Sequence, residues 1–150
     1  EWAYRPSERD KASFVLDDFR LLEQNDILKL LDGESEIYPG ISTLPCFGHT
    51  SAMQLVKIST GVHTFLYCAD LIPMSAHIPL PYIMGYDLNP LNTLDEKKRL
   101  LSQVAEERWI LVFQHDPYLA ACYVDEKNGR FVKGESFSLG EEAAAPAMKP

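Results

Sequence analysis

Trp109-Ile110-Leu111-Val112-Phe113-Gln114-His115-Asp116-Pro117 runs five apolar residues into a polar, proline-ended group. The apolar run predicts a strand buried on both faces, with His115 just past its end. Upstream, Thr93 followed by Glu96 is a capping-box pattern, and Leu94, Leu101, Val104, Ala105 and Arg108 mark one face of a helix ending near Glu107. Downstream, 121–125 and 130–133 predict a hairpin joined through Asn128-Gly129. Further upstream, 53–58 and 64–68 predict two strands with a tight connection between them. Strand, helix and strand in alternation predict α/β layering.

The rest of the chain is less regular. Phe14, Val15, Phe19 and Leu22 predict an apolar stripe on a short surface helix within 7–25. Ile37, Ile41 and Leu44 surround Pro39-Gly40, a pattern of short strands broken by turns. The stretch 71–92 holds Pro73, Pro79, Pro81 and Pro90, so it is expected to be irregular and to act as a lid or pocket wall. The tail 140–150, with Ala143 to Ala145 and two prolines, is expected to fray, and no internal repeat is visible.

With 150 residues, 46% hydrophobic and 24% charged, the chain can bury a core, which excludes disorder, collagen and coiled coil as global descriptions. A net charge of −8 disfavours nucleic acid as a partner. No stretch approaches the roughly 20 apolar residues that a membrane-spanning helix needs, so no membrane partner is expected. Three widely spaced cysteines, Cys46, Cys68 and Cys122, suit a reducing compartment, and a cytoplasmic location is expected. Glu1 in place of Met, with no signal-peptide pattern after it, leads us to expect a piece of a longer polypeptide.

Three residues suited to metal binding share one kind of address. His49 follows the apolar stretch ending at Cys46-Phe47, Asp70 follows 65–69, and His115 follows 109–113. Each is expected just past a core strand, where the loops of layered α/β proteins form clefts. Two imidazoles and a carboxylate suit zinc, iron or manganese. Taken singly, each is more often a satisfied loop polar group.

Gly48-His49-Thr50, Ala69-Asp70 and Gln114-His115-Asp116-Pro117, in this order and at strand ends, together resemble the later metal-binding motifs of the metallo-β-lactamase-fold hydrolases. The resemblance runs from about Trp2 to Phe137. It implies half of an αββα sandwich, a mixed β-sheet with flanking helices, occupying 1–139. It implies a site for two divalent transition metals, zinc before iron or manganese, in which His49 binds one metal, Asp70 bridges both and His115 binds the other. The activity implied is hydrolysis of an ester, lactone, amide or related bond by a metal-bound hydroxide, with Asp70 counted as catalytic and a small molecule as substrate. The family's His-x-His-x-Asp-His motif is absent here: the histidines are His49, His63, His77 and His115. The chain is therefore expected to be a C-terminal portion that supplies part of the site, inactive alone, with the missing N-terminal half as its partner; a homo-oligomer is also compatible.

Two positions depart from the family pattern. Phe47-Gly48-His49-Thr50-Ser51-Ala52 replaces Pro-Gly-His-Thr-Pro-Gly, and Ala69 replaces the usual Gly, which is tolerated unless the backbone there needs a positive φ. His77, Tyr86 and Asp87 in the Pro-rich loop could face substrate or support a metal ligand through a hydrogen bond. Outside the enzyme class, the chain could be a non-catalytic binding or assembly module. A structural zinc site from Cys46, His49 and Cys68 lacks an evident fourth ligand, and Cys68 is better placed in the core than as a nucleophile.

Overall fold

Alternation of apolar and polar residues, punctuated by turn-forming pairs, builds a seven-stranded sheet in a computed structural model that describes residues 2–9 and 11–137. The tail expected to fray lies outside the described residues. The described chain divides at Gly33 into two units.

In the first unit, short 3-10 turns at Trp2–Tyr4 and Lys11–Ser13 precede helix α1, Leu16–Gln24. The helix is shorter than the stretch 7–25 within which it was expected. It buries no residue. The edge of the Tyr4 ring meets Phe19, and its hydroxyl donates to Glu23. Val15, Leu21, Ile27 and Leu30 are exposed.

In the second unit, strands β1 (Ser35–Tyr38), β2 (Ile41–Cys46), β3 (Met53–Ser59), β4 (Thr64–Tyr67), β5 (Ile110–Val112), β6 (Ala121–Lys127) and β7 (Arg130–Phe137) lie side by side in chain order. Neighbours pair antiparallel except β4 and β5, which run parallel. A parallel pair needs a crossover, and helix α2 (Pro90–Glu106) provides it. The helix starts at Pro90, not Thr93. Asn89 is its N-cap residue, and proline fits the first turn because the N–H it lacks has no partner there. The loop before α2 is irregular as expected, apart from a 3-10 turn at Ser75–His77.

Register explains which side chains are buried. Lys57, Leu66, Leu111 and Cys122 are successive cross-strand partners and share one face. Leu66, Leu111 and Cys122 from this row join Leu55, Leu71, Ile72, Leu101, Val104 and Trp109 in the core. The Lys57 ammonium lies 4.3 Å from the centre of the Trp109 ring, which its aliphatic stem reaches without leaving the sheet surface.

The opposite face carries two further apolar rows. One is Ile41, Ile58, Phe65, Ile110 and Tyr123; the other runs from Val56 through Tyr67 and Val112 to Ala121 and Phe137. Most of these side chains stay half-buried or exposed, and of them only Tyr67 packs against the core. A sheet apolar on both faces is the pattern of a layer covered on both sides.

Leu66→Ala and Leu111→Ala, each fully buried, are expected to cost about 2–5 kcal/mol of unfolding free energy. Ile58→Ala, on the opposite face, is expected to cost under about 1.5 kcal/mol in the isolated chain. Urea denaturation of the three variants checks the ordering.

Candidate metal centre

Strands β2, β4 and β5 point the same way, because β2 and β4 are both antiparallel to β3, and β5 is parallel to β4. His49, Asp70 and His115 each sit three residues beyond the end of these strands, at Cys46, Tyr67 and Val112. The sheet therefore delivers all three to one edge. His49 Nε2 lies 3.5 Å from Asp70 Oδ2, and His115 Nε2 lies 3.2 Å from Asp70 Oδ1. One carboxylate thus faces two imidazoles, one through each oxygen. The His49 side chain is 13% exposed and the His115 side chain 50%, so one imidazole is enclosed and the other opens to solvent.

Asp87 supports His49 from behind, with its Oδ1 2.8 Å from His49 Nδ1. An ionised carboxylate only accepts, so Nδ1 carries the hydrogen and, in the neutral ring, Nε2 presents its lone pair towards Asp70. Two lone pairs facing each other repel unless a cation or a proton lies between them. Imidazole nitrogens and a carboxylate are donor types that suit a divalent transition metal. Among the described residues, no group of three or more His, Cys, Asp and Glu side chains forms a ready metal cage. His49, Asp70 and His115 would be the residues to hold a cation here, and three ligands would leave coordination positions open.

The Tyr86 and His49 rings meet in a T-shaped contact, 5.8 Å between centres, and Tyr86 is otherwise exposed. His77 makes no hydrogen bond or ion pair with His49, Asp70 or His115 among the described residues. Its Nδ1 is buried without a partner, as is Asp87 Oδ2. Burial lowers the His77 pKa, the nearby Lys97 charge lowers it further, and Asp87 partly opposes both. Cys46, Cys68 and Cys122 are buried thiols. Burial pushes Cys46 and Cys122 up to about 12 and Cys68 up as well, so none is an available thiolate.

Sequence reasoning missed several residues that hold this site together. Asp116, beside His115, accepts from Ser75 N and Oγ (2.9 and 2.6 Å) and from Tyr118 N and Leu119 N (3.0 Å each). His115 N donates to Pro73 O at 3.0 Å. The loop after Asp70 is thereby tied to the loop carrying His115. Burial pushes the Asp116 carboxyl up, but the hydrogen bonds from Ser75, Tyr118 and Leu119 outweigh it and hold it at about 2. Glu96, read in the sequence as half of a capping box, accepts from Phe47 N and Gly48 N at 2.7 and 3.1 Å. Lys97 is fully buried and donates to three carbonyls of the Pro-rich loop. Burial pulls its pKa down to about 8, partly offset by the charge of Asp87. The available signal was Lys97's position, four residues after Thr93 and four before Leu101, a charge inside the buried stripe of a helix.

Ala69 has φ +42°, so the backbone there does need the positive φ that the sequence left open, a left-handed conformation that costs a side chain roughly 1–2 kcal/mol. The methyl group is held there directly before Asp70. Gly48 is needed for space: a Cβ at this position would lie 2.3 Å from Thr93 Oγ1 and 2.4 Å from Thr93 N.

No protein-family model matches the sequence, and no curated protein matches it. Solved structures do. The chain is similar to a probable metal-dependent hydrolase from Staphylococcus aureus, with TM-score 0.75 and 20% identity over 91% of this chain and 50% of that one. It is also similar to AidC, a dizinc quorum-quenching lactonase in complex with a product, N-hexanoyl-L-homoserine, with TM-score 0.68 and 22% identity over 91% of this chain and 47% of that one. A hydrolase of the beta-lactamase superfamily matches with TM-score 0.68 and 13% identity over 87% of this chain and 48% of that one. The chain spans about half the length of these structures. No helix among the described residues is long and apolar enough to cross a membrane.

Two outcomes follow from this geometry. The Asp116 pKa is below its ordinary value of 3.8, so its stabilisation is fully present above about pH 4 and is lost as pH falls through about 2. Asp116→Asn should lower stability at pH 7 by about 1–3 kcal/mol and flatten acid unfolding across that window, measured by denaturant titration at stepped pH. Ala69→Val should cost about 2 kcal/mol or more, because a β-branched residue resists positive φ, whereas Ala69→Gly should stay within about 1 kcal/mol of the parent.

Proposed function

We propose that this chain, which has the fold of one half of a metallo-β-lactamase-type hydrolase, supplies part of the site of a metal-dependent hydrolase that cleaves an ester, lactone or related bond in a small molecule. The observation that carries the proposal is the placement of His49 Nε2 and His115 Nε2 against the two oxygens of Asp70. Zinc is the first candidate, because two imidazoles and a carboxylate suit it and the lactonase of like fold is described as a dizinc enzyme. The chemistry that bound cations supply at such a site is activation of water near neutral pH and polarisation of the oxygen of the scissile bond.

The chain's own residues then have distinct tasks. Asp70 holds the two sides of the site together and offsets positive charge. Asp87 keeps the hydrogen of His49 on Nδ1, so that Nε2 is the ligating atom, and fixes the ring's plane. Asp116 sets where His115 stands relative to Asp70 by tying their loops together. Tyr86 would meet substrate, a role supported by its packing on His49 and its exposure.

Three residues do not fill two coordination spheres. The remaining ligands, in this proposal, come from a segment bearing a His-x-His-x-Asp-His motif, whose own sheet covers the second apolar face of β2–β6. The half-length match and that uncovered face both support a partner layer.

Cobalt(II) titration followed by visible absorption tests the metal part. The chain alone is expected to bind weakly, and Asp70→Ala should abolish the binding. Tight binding of two cations by the monomeric chain would overturn the part-site proposal, and binding untouched by Asp70→Ala would overturn the role of Asp70. With the complementary segment present and metal bound, turnover is expected within a panel of lactones, esters, thioesters and phosphodiesters. Silence across the panel would favour the non-catalytic binding module.

A further inference from the structure

Lys97 has no exposed surface, yet its Nζ donates to Pro79 O, Leu80 O and Tyr82 O at 3.1, 3.3 and 2.8 Å. All three donors of the ammonium are therefore used within one short piece of the Pro-rich loop. Among the described residues no carboxylate forms an ion pair with it, so this is not a buried salt bridge. Its neighbour on α2, Glu96, does the converse: it accepts from the amides of Phe47 and Gly48, directly before His49.

The two loops that α2 grips in this way meet each other at the site. Leu88 N donates to His49 O at 3.2 Å, Asn89 N to Gly48 O at 2.8 Å, and Asn89 Nδ2 to Phe47 O at 3.1 Å. Between the gripped carbonyls and these contacts lies Asp87, the partner of His49 Nδ1. Thr93, one turn before Lys97, packs directly under Gly48.

We propose that Glu96 and Lys97 are positioning residues for the site: Glu96 fixes the backbone that bears His49, Lys97 fixes the loop that bears Asp87, and α2 thereby sets the His49–Asp87 hydrogen bond. The charges match what each loop offers. The 47–48 segment presents N–H groups, which a carboxylate satisfies, and the 79–82 segment presents carbonyls, which an ammonium satisfies. Burying either charge is costly, and its full use by backbone groups offsets that cost. A helix that needed only to pack on the sheet would have carried an apolar residue at position 97, as it does at Leu101 and Val104.

The functional meaning of this grip rests on the proposed role of His49 as a metal ligand, while the grip itself does not, and one experiment separates the two. In the chain labelled with 15N-histidine, the His49 Nδ1–H proton is read by NMR, with Asp87→Ala as the assignment control. Lys97→Met, which keeps the volume and removes the charge, is expected to speed solvent exchange of that proton by about tenfold or more while β4 and β5 amides exchange as in the parent. Glu96→Gln is expected to do the same and also to speed exchange of the Phe47 and Gly48 amides; it carries the test if Lys97→Met does not fold. Unchanged exchange at His49 in a folded variant overturns the proposal, as does acceleration that extends equally through β4 and β5, which marks a merely structural role. Cobalt(II) affinity measured on the same samples is expected to fall with the loss of the His49–Asp87 bond. If that bond weakens and cobalt affinity does not change, the positioning role stands and the role of His49 as a ligand falls.

Discussion

The parallel pairing of β4 with β5 is the constraint on which the rest depends. Two parallel neighbours cannot be joined by a turn, so the chain must leave the sheet, cross over and return. Here the crossover is the Pro-rich loop and α2, and it accomplishes two things at once. It places the ends of β4 and β5 side by side, so Asp70 and His115 come within 3.2 Å. It also lays a long helix and an irregular loop against the same sheet edge, where they supply Asp87 to His49 and Glu96 to the backbone before it. An antiparallel β4–β5 pair would have sent Asp70 and His115 to opposite edges.

A second constraint is the sheet's two-sided apolarity. The row of Leu66, Leu111 and Cys122 is packed within the core, whereas the rows of Ile58, Phe65 and Tyr123 and of Val56 and Val112 remain only partly covered. An exposed apolar layer of this extent is a natural surface for a second sheet. The same edge that carries the three candidate ligands would border that second layer. In the proposed reading, a part-filled metal site and a partly covered sheet are two aspects of one arrangement.

Much of the fold was readable in advance because it depends on neighbours in sequence. The run 109–113 announced β5, the turn pair Asn128-Gly129 announced the last hairpin, and four prolines announced an irregular loop. The stripe on α2 announced a packed helix. Its start was misplaced because Thr93 and Glu96 have the spacing of a cap, while Thr93 Oγ1 donates back to Asn89 O and Glu96 accepts from the amides of Phe47 and Gly48 instead. The helix around residue 20 came out shorter than the stretch that suggested it, since an apolar stripe that buries nothing does little to extend a helix.

The candidate site divides along the same line. Residue type and position past a strand end made His49, Asp70 and His115 candidates, and the resemblance of their short flanking motifs to those of a metal-binding family set them apart from ordinary loop polar groups; both features are local, spanning a few residues on either side. The spacing that matters is not local. Phe47 meets Glu96 across 49 residues of sequence and Ser75 meets Asp116 across 41, and such contacts leave no periodic trace. Only the folded chain decides that the ammonium of Lys97 replaces a core side chain, that Ala69 must sit at positive φ, and that Asp87 rather than His77 backs His49. Local pattern determines strands, turns and chemical capacity because it acts through the backbone within a few residues, whereas the convergence of donors is set by register and crossover, which belong to the whole sheet.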